Sequence, residues 1–318
     1  MGWFSRPRGA ALVACVAAAL VLAGCLPVQH FKASNPPNNA QDADFSWFVA
    51  PAAQPGKQVL IGLTRAGYPD PARPALLLIH GYDGLSRDYM SLAREFRTAG
   101  FDVVIGCWQY NGAPINDFDP LIQCPLGPTP PGVSGPAVAE VDQLVSATRS
   151  ALGNTTQPLT VAGFSAGGGV AALRNSMGRT EPIVAIAGLL QGTSAYGPDP
   201  GHTDVTTLAA TFAAPTLLVH GDADGLVPVS QAHAMEDALL TAGKVVAAKY
   251  YPSPAGHGLL GQPSVRADVV LTITAWALDP LLPLPSSTGV AATSLDPDVV
   301  DAVQRAAARH GVLDFGDL

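Results

Sequence analysis

Charge is scarce in this chain. Of its 318 residues only 13% are charged, and lysine occurs four times, at Lys32, Lys57, Lys244 and Lys249. The net charge is −8, and the clustered Lys and Arg footprint of a nucleic-acid binder is missing. Cysteine is scarce too, with four residues, and none shows the Cys and His spacing of a zinc site. The uncharged stretch "ALVACVAAALVLAG" over residues 11–24 is short of the roughly 18 residues that a membrane-spanning helix needs. What remains is 48% hydrophobic sequence, enough for one large globular domain.

The N-terminus reads as a targeting segment. Arg6 and Arg8 precede the apolar stretch, which ends in "LAGC" at Cys25. This is similar to a bacterial lipobox, in which the signal over residues 1–24 is removed and the Cys25 thiol carries lipid. An ordinary secretory signal with an incidental cysteine is the alternative. Cleavage would remove Arg6 and Arg8 and no acid, which carries the net charge from −8 to −10. That charge opposes electrostatic attachment to anionic lipid, so the anchor would be the lipid itself. The polar, proline-bearing residues that follow read as a tether, placing lipidated cysteine and tether at 25–56. The expected location is extracytoplasmic, on the cell membrane. Beyond Cys15 and Cys25 only Cys107 and Cys124 remain. In an oxidising compartment they suggest one disulfide, contributing roughly 3 kcal/mol in the chain-entropy model; two unpaired thiols are the alternative.

Aliphatic runs alternate with helical patterns through residues 57–280, the signature of a mostly parallel sheet with helices on both faces. The expected strands are 58–63, 75–80, 101–106, 159–164, 183–189, 216–221 and 245–251, several apolar throughout, as strands covered on both faces should be. Helices are expected near 87–99, 136–152, 166–178, 230–242 and 264–278, the first bounded by Ser86 and Gly100. The proline-rich stretch 107–135 reads as a loop leaving the carboxyl end of a strand, where ligand sites of open α/β sheets lie. Trp108 and Tyr110 on it are substrate-pocket candidates, with plain packing as the competing role. Residues 281–318 form a C-terminal extension. A helix is expected there from Pro297 to His310, its apolar face carried by Val299, Val300, Val303, Ala306 and Ala307.

The chemistry concentrates at "GFSAGGG", Gly163 to Gly169, where an expected strand turns into an expected helix. "GFSAG" fits G-x-S-x-G, the nucleophile elbow. A phosphate-binding loop would want Gly-Lys-Ser/Thr, and no lysine is here. A serine hydroxyl needs a base and a group to orient that base. In this architecture the order is Ser, then acid, then His. "HGDADGLVP" supplies the acids after the strand ending at Gly221, and "GHG" supplies His257 after the last strand.

With "HGYDG", these four motifs make the chain resemble the α/β-hydrolase superfamily, and within it the dienelactone-hydrolase-like serine esterases, over roughly residues 57–280. The resemblance implies the α/β-hydrolase fold with little or no lid. It implies a triad of Ser165, Asp224 and His257, with Asp222 a turn residue, and an oxyanion hole from the backbone N–H groups of Tyr82 and Ala166. His80 and His220 read as structural, and His202, His233 and His310 as surface residues. The implied activity is hydrolysis of small-molecule or polymeric esters through an acyl-enzyme, with no metal or organic cofactor. A peptidase or acyltransferase on the same triad, and a non-catalytic binding lipoprotein on this scaffold, are the alternatives.

Overall fold

The structure, a computed structural model, describes residues 29–30, 44–53, 58–82, 87–108, 132–199 and 201–281. In chain order its strands are β1 (Gln29–His30), β2 (Ser46–Pro51), β3 (Gln58–Thr64), β4 (Ala75–Ile79), β5 (Asp102–Gly106), β6 (Leu159–Phe164), β7 (Ile183–Ile186), β8 (Thr193–Ser194), β9 (Gly197–Pro198), β10 (Thr216–Gly221) and β11 (Val246–Tyr251). The helices are α1 (Arg87–Thr98), α2 (Gly135–Leu152), α3 (Ala166–Ser176), α4 (Ser230–Thr241) and α5 (Pro263–Leu278).

Side-chain alternation explains how one sheet serves two cores. In β4, Leu77 and Ile79 join one apolar cluster with Val141, Leu144 and Val170 of α2 and α3. Leu76 and Leu78 join the other, with Met90 and Phe96 of α1 and Ile273 and Trp276 of α5. Both faces are covered, so the strand is apolar at every position. Phe96 alone, fully buried, is worth roughly 1.5–3 kcal/mol.

The main sheet runs β1-β2-β3-β5-β4-β6-β7-β10-β11 among the described residues. From β5 to β11 neighbouring strands are parallel, and the β1–β2, β2–β3 and β3–β5 pairs are antiparallel. All five expected helices of the central region are present, and Gly100, at φ 97, sits just past α1 with its N–H bonded to the Arg97 carbonyl. Ser86 lies outside the described residues.

The sheet starts earlier than the sequence suggested. Residues 44–51 belong to the fold and not to a tether. Phe45 and Trp47 are buried, the Trp47 indole fills the space where a side chain at Gly62 would stand, and Asp44 pairs with Arg94 and Arg97. The short run SWFVAP ends in proline and follows a polar stretch, which hid it. No helix of the described residues is long and apolar enough to cross a membrane. Cys25, Tyr110, Cys124, His310 and the expected helix at 297–310 lie outside the described residues.

Candidate active site

Ser165 occupies the single-residue turn between β6 and α3, at φ 54 and ψ −121. A positive φ on a non-glycine residue costs roughly 1–3 kcal/mol, so surrounding contacts must hold it. The Ser165 N–H donates to the Ile186 carbonyl at 2.8 Å, and the Ser165 carbonyl accepts from the Leu189 N–H at 3.0 Å. Glycine is required on both sides. A Cβ on Gly163 would collide with the Gly167 backbone, and one on Gly167 would lie 2.5 Å from the His80 carbonyl oxygen. At Gly169 a Cβ would strike the Leu189 carbonyl, so the extra glycines serve close helix packing.

Three side chains converge on this turn from the carboxyl ends of three strands. The His257 Nε2 lies 3.1 Å from the Ser165 Oγ, and its Nδ1 lies 2.9 Å from the Asp224 Oδ2. Asp224 is buried and Asp222 is exposed. The other oxygen of Asp224 accepts the N–H groups of Leu226 and Val227 at 2.9 and 2.8 Å. Burial alone would raise the Asp224 pKa. Hydrogen bonds from His220, His257 and Val227 outweigh it and hold the carboxyl well below the usual carboxylate range. The acid therefore stays charged, accepts from Nδ1, and leaves Nε2 free to take the serine proton.

The prolyl oligopeptidase family (peptidase S9) matches over residues 169–282, a segment that holds Asp224 and His257 and begins just after Ser165. No curated protein matches. Among solved structures, a protein assigned as a dienelactone hydrolase from Klebsiella pneumoniae superposes with a TM-score of 0.54 at 17% identity, covering 85% of this chain and 99% of that one. A thermostable carboxyl esterase from Bacillus coagulans gives 0.54 at 15% identity, with 71% and 95% covered. An acylaminoacyl peptidase from Pyrococcus horikoshii gives 0.56 at 12% identity, covering 86% of this chain and 45% of that one.

The chain has the α/β-hydrolase fold.

The loop His80 to Tyr82, for which the sequence suggested an oxyanion role, follows β4. The Ala166 N–H, at the first position of α3, has no intrahelical acceptor by geometry. The neighbouring turn is braced on every side. The His80 Nδ1 lies 2.7 Å from the Gly81 carbonyl, which can only accept, so Nδ1 carries the proton. The Nε2 then accepts the Trp108 N–H at 3.4 Å. Because Gly81 C=O and Tyr82 N–H belong to one peptide plane, pinning the carbonyl also fixes the direction of the N–H. Burial lowers the His80 pKa to about 4, which keeps it neutral in that role. The Tyr89 hydroxyl accepts the Gly81 N–H at 3.1 Å.

Two expectations change here. Trp108 is fully buried, stacked on His80, and its Nε1–H donates to the His80 carbonyl at 2.6 Å. It braces the loop from the core, the packing role that the sequence left as the alternative. His202 is not a surface residue: its side chain is 2% exposed, with Nδ1 3.8 Å from the Asp199 Oδ2, and burial pushes its pKa down. His233 is exposed against the Tyr250 ring.

Sequence reasoning missed three contributors. Asp199 accepts the Tyr82 hydroxyl at 2.6 Å, so the Tyr82 ring is tied to the segment between β7 and β10. Burial first and this bond second push the Tyr82 pKa above its ordinary value. His220, expected to bond backbone, reaches both the Val227 carbonyl and the Asp224 carboxylate, at 3.0 and 3.1 Å. Phe164 packs its ring 5.0 Å from that of His257. The segment carrying Asp199 holds the β8–β9 hairpin and a short 3-10 turn (Val205–Thr211), consistent with little lid. Among the described residues no group of three His, Cys, Asp or Glu could hold a metal ion. Cys107 is buried at the carboxyl end of β5.

Proposed function

We propose that the protein is a serine hydrolase of carboxylic esters. The observation that supports it most is the continuous chain Asp224–His257–Ser165, at 2.9 and 3.1 Å, ending on a strained turn that holds the hydroxyl at a helix N-terminus. In the first half-reaction the Ser165 oxygen attacks the ester carbonyl carbon and its proton passes to the His257 Nε2. The negative charge moves to the carbonyl oxygen, facing the backbone N–H groups of Tyr82 and Ala166. Collapse of this intermediate expels the alcohol, which leaves with the proton from Nε2. In the second, water gives its proton to Nε2 as it attacks the acyl-Ser165 carbonyl, and collapse of that intermediate returns the proton to the Ser165 oxygen and releases the acid. The reading asks for side chains, backbone donors and water alone. Ser165→Ala should abolish hydrolysis of p-nitrophenyl esters and labelling by a fluorophosphonate, with an unchanged melting curve. Retained turnover in that variant refutes the assignment.

The similarity of residues 169–282 to the prolyl oligopeptidase family supports a second reading, a peptidase on the same triad. Parallel assay of an alkyl ester and a matched aminoacyl anilide separates the two. We further propose a lipid anchor on Cys25, holding the domain outside the cytoplasm on the membrane, and a Cys107–Cys124 disulfide. Globomycin-sensitive processing and mass spectrometry of the non-reduced chain test them. A small or polymeric ester that diffuses to the membrane surface is the matching partner.

A further inference from the structure

The segment Leu189 to Asp199, between β7 and β10, is hydrogen-bonded to three loops of the candidate site. Its first residue donates the Leu189 N–H to the Ser165 carbonyl at 3.0 Å. The Ala195 N–H donates to the Leu226 carbonyl at 2.8 Å, and the Leu226 N–H in turn holds the Asp224 carboxylate. Its last residue, Asp199, accepts the Tyr82 hydroxyl at 2.6 Å, a charge-assisted bond of the strong kind. Between these points Gln231, buried at the start of α4, holds the backbone. The Gln231 Oε1 accepts the N–H groups of Leu190 and Gln191, both at 2.9 Å, and its NH2 donates to the Thr193 carbonyl at 2.6 Å. The strand order β4-β6-β7-β10 explains the reach. Tyr82 follows β4, Leu226 follows β10, and Ser165 ends β6 between them. The segment spans the carboxyl ends of β6 and β7, with roughly 14 Å from β4 to β10 at the usual strand spacing.

We infer that Asp199 is a positioning residue for the hydrolysis, holding the Tyr82 half of the oxyanion site against the Ser165 turn, an inference that rests on the hydrolase reading above. The strands carrying these two loops are neighbours in register, with Ile79 of β4 opposite Gly163 of β6. The loop after β4 then packs on the start of α3, where a Cβ on Gly167 would lie 2.5 Å from the His80 carbonyl oxygen. Tyr82 is held twice. The peptide joining it to Gly81 is pinned through His80, which sets the direction of the N–H. Its hydroxyl is pinned by Asp199, on a segment that is itself bonded to Ser165 through Leu189. The second hold keeps loop and turn together. A misplacement of about 1 Å can cost roughly a hundredfold in rate. Substrate binding changes little, because the charge that the N–H meets exists only after Ser165 attacks.

The test measures kcat and KM for a p-nitrophenyl ester on the full chain, per active site titrated to completion with a fluorophosphonate. Asp199→Ala and Tyr82→Phe should each lower kcat roughly ten- to a hundredfold and leave KM within about threefold. The double variant should be no slower than the slower single one, because both changes remove the same bond. Asp199→Asn keeps a polar partner for the hydroxyl and should bring kcat back to within about threefold of wild type. A residue that only stabilised the fold would lower the titrated fraction and the melting temperature and leave the turnover of each titrated site unchanged; that result overturns the inference. So do effects that multiply in the double variant, since Asp199 would then act without Tyr82, and a rise in KM at constant kcat. If Asp199→Ala fails to fold, Tyr82→Phe decides, and wild-type turnover in it overturns the inference. A wild type that is labelled and active keeps the hydrolase reading whatever the variants do, whereas one that is neither refutes that reading itself.

Discussion

Replacing Asp224 by asparagine changes one oxygen for an amide nitrogen and keeps the shape, so the outcome depends on which way the amide points. One carboxylate oxygen faces two backbone N–H groups, of Leu226 and Val227, at 2.9 and 2.8 Å. The other faces His257 Nδ1 and His220 Nε2 at 2.9 and 3.1 Å. Backbone N–H groups can only donate, whereas an imidazole can move its proton between nitrogens. The asparagine must therefore give its oxygen to the backbone and its NH2 to the histidines. His257 then accepts on Nδ1 and carries its proton on Nε2, facing Ser165, where a base is needed. The wrong tautomer should lower kcat by roughly 10⁴-fold, the scale of the equivalent change in a worked serine-protease triad, or about 5 kcal/mol of transition-state stabilisation. Steady-state hydrolysis of a p-nitrophenyl ester measures this, with circular dichroism melting to establish that the variant is folded. A folded Asp224→Asn enzyme within tenfold of wild type would show that Asp224 does not set the tautomer, and the triad reading would fail.

Gly167→Ala places a Cβ 2.5 Å from the His80 carbonyl oxygen and 2.7 Å from that of Ile79. Overpacking against backbone should destabilise by roughly 1–3 kcal/mol and displace the loop that carries Tyr82, so urea melts shift down and kcat falls more than KM rises. Trp108→Phe keeps most of the ring but leaves the buried His80 carbonyl without its donor, which should cost roughly 1–3 kcal/mol in the same melts. Glu140 sits buried on α2 with Oε2 unpartnered among the described residues, and burial raises its pKa to about 8. Its raised folded pKa makes the protonated form the stable one. The chain thus loses stability as pH climbs from the ordinary carboxyl value toward 8. Glu140→Gln should raise the melting temperature at pH 8.5 and lose that advantage near pH 4.5; a pH-independent difference would contradict it.

The secondary structure of residues 57–280 was legible because each element carried its own period. Leu76 to Ile79 is apolar throughout since both faces are covered. Gly100 could stop a helix with no help from the rest of the chain. Not legible were the two-residue strands β1, β8 and β9 and, upstream of residue 57, β2, whose six residues gain their stability from pairing with β3 and from Trp47 lying over Gly62. Neither is a local signal.

The convergence of Ser165, Asp224 and His257 was equally legible, because a triad of the kind proposed constrains both the chain order and the turn chemistry around each residue. "GFSAG" already demanded small neighbours for Ser165, and "DAD" narrowed the acid to two positions. What the sequence could not carry was the tier behind them. That Asp199 would hold the Tyr82 hydroxyl across 117 positions, that His220 would share the Asp224 carboxylate, and that Trp108 would brace His80 from within the core depend on which loops meet above the sheet. Local composition fixes which residues can do chemistry and where the chain must turn; only the packed sheet brings these polar groups to hydrogen-bonding distance, because a hydrogen bond needs a partner in space and leaves no mark on its neighbours in sequence.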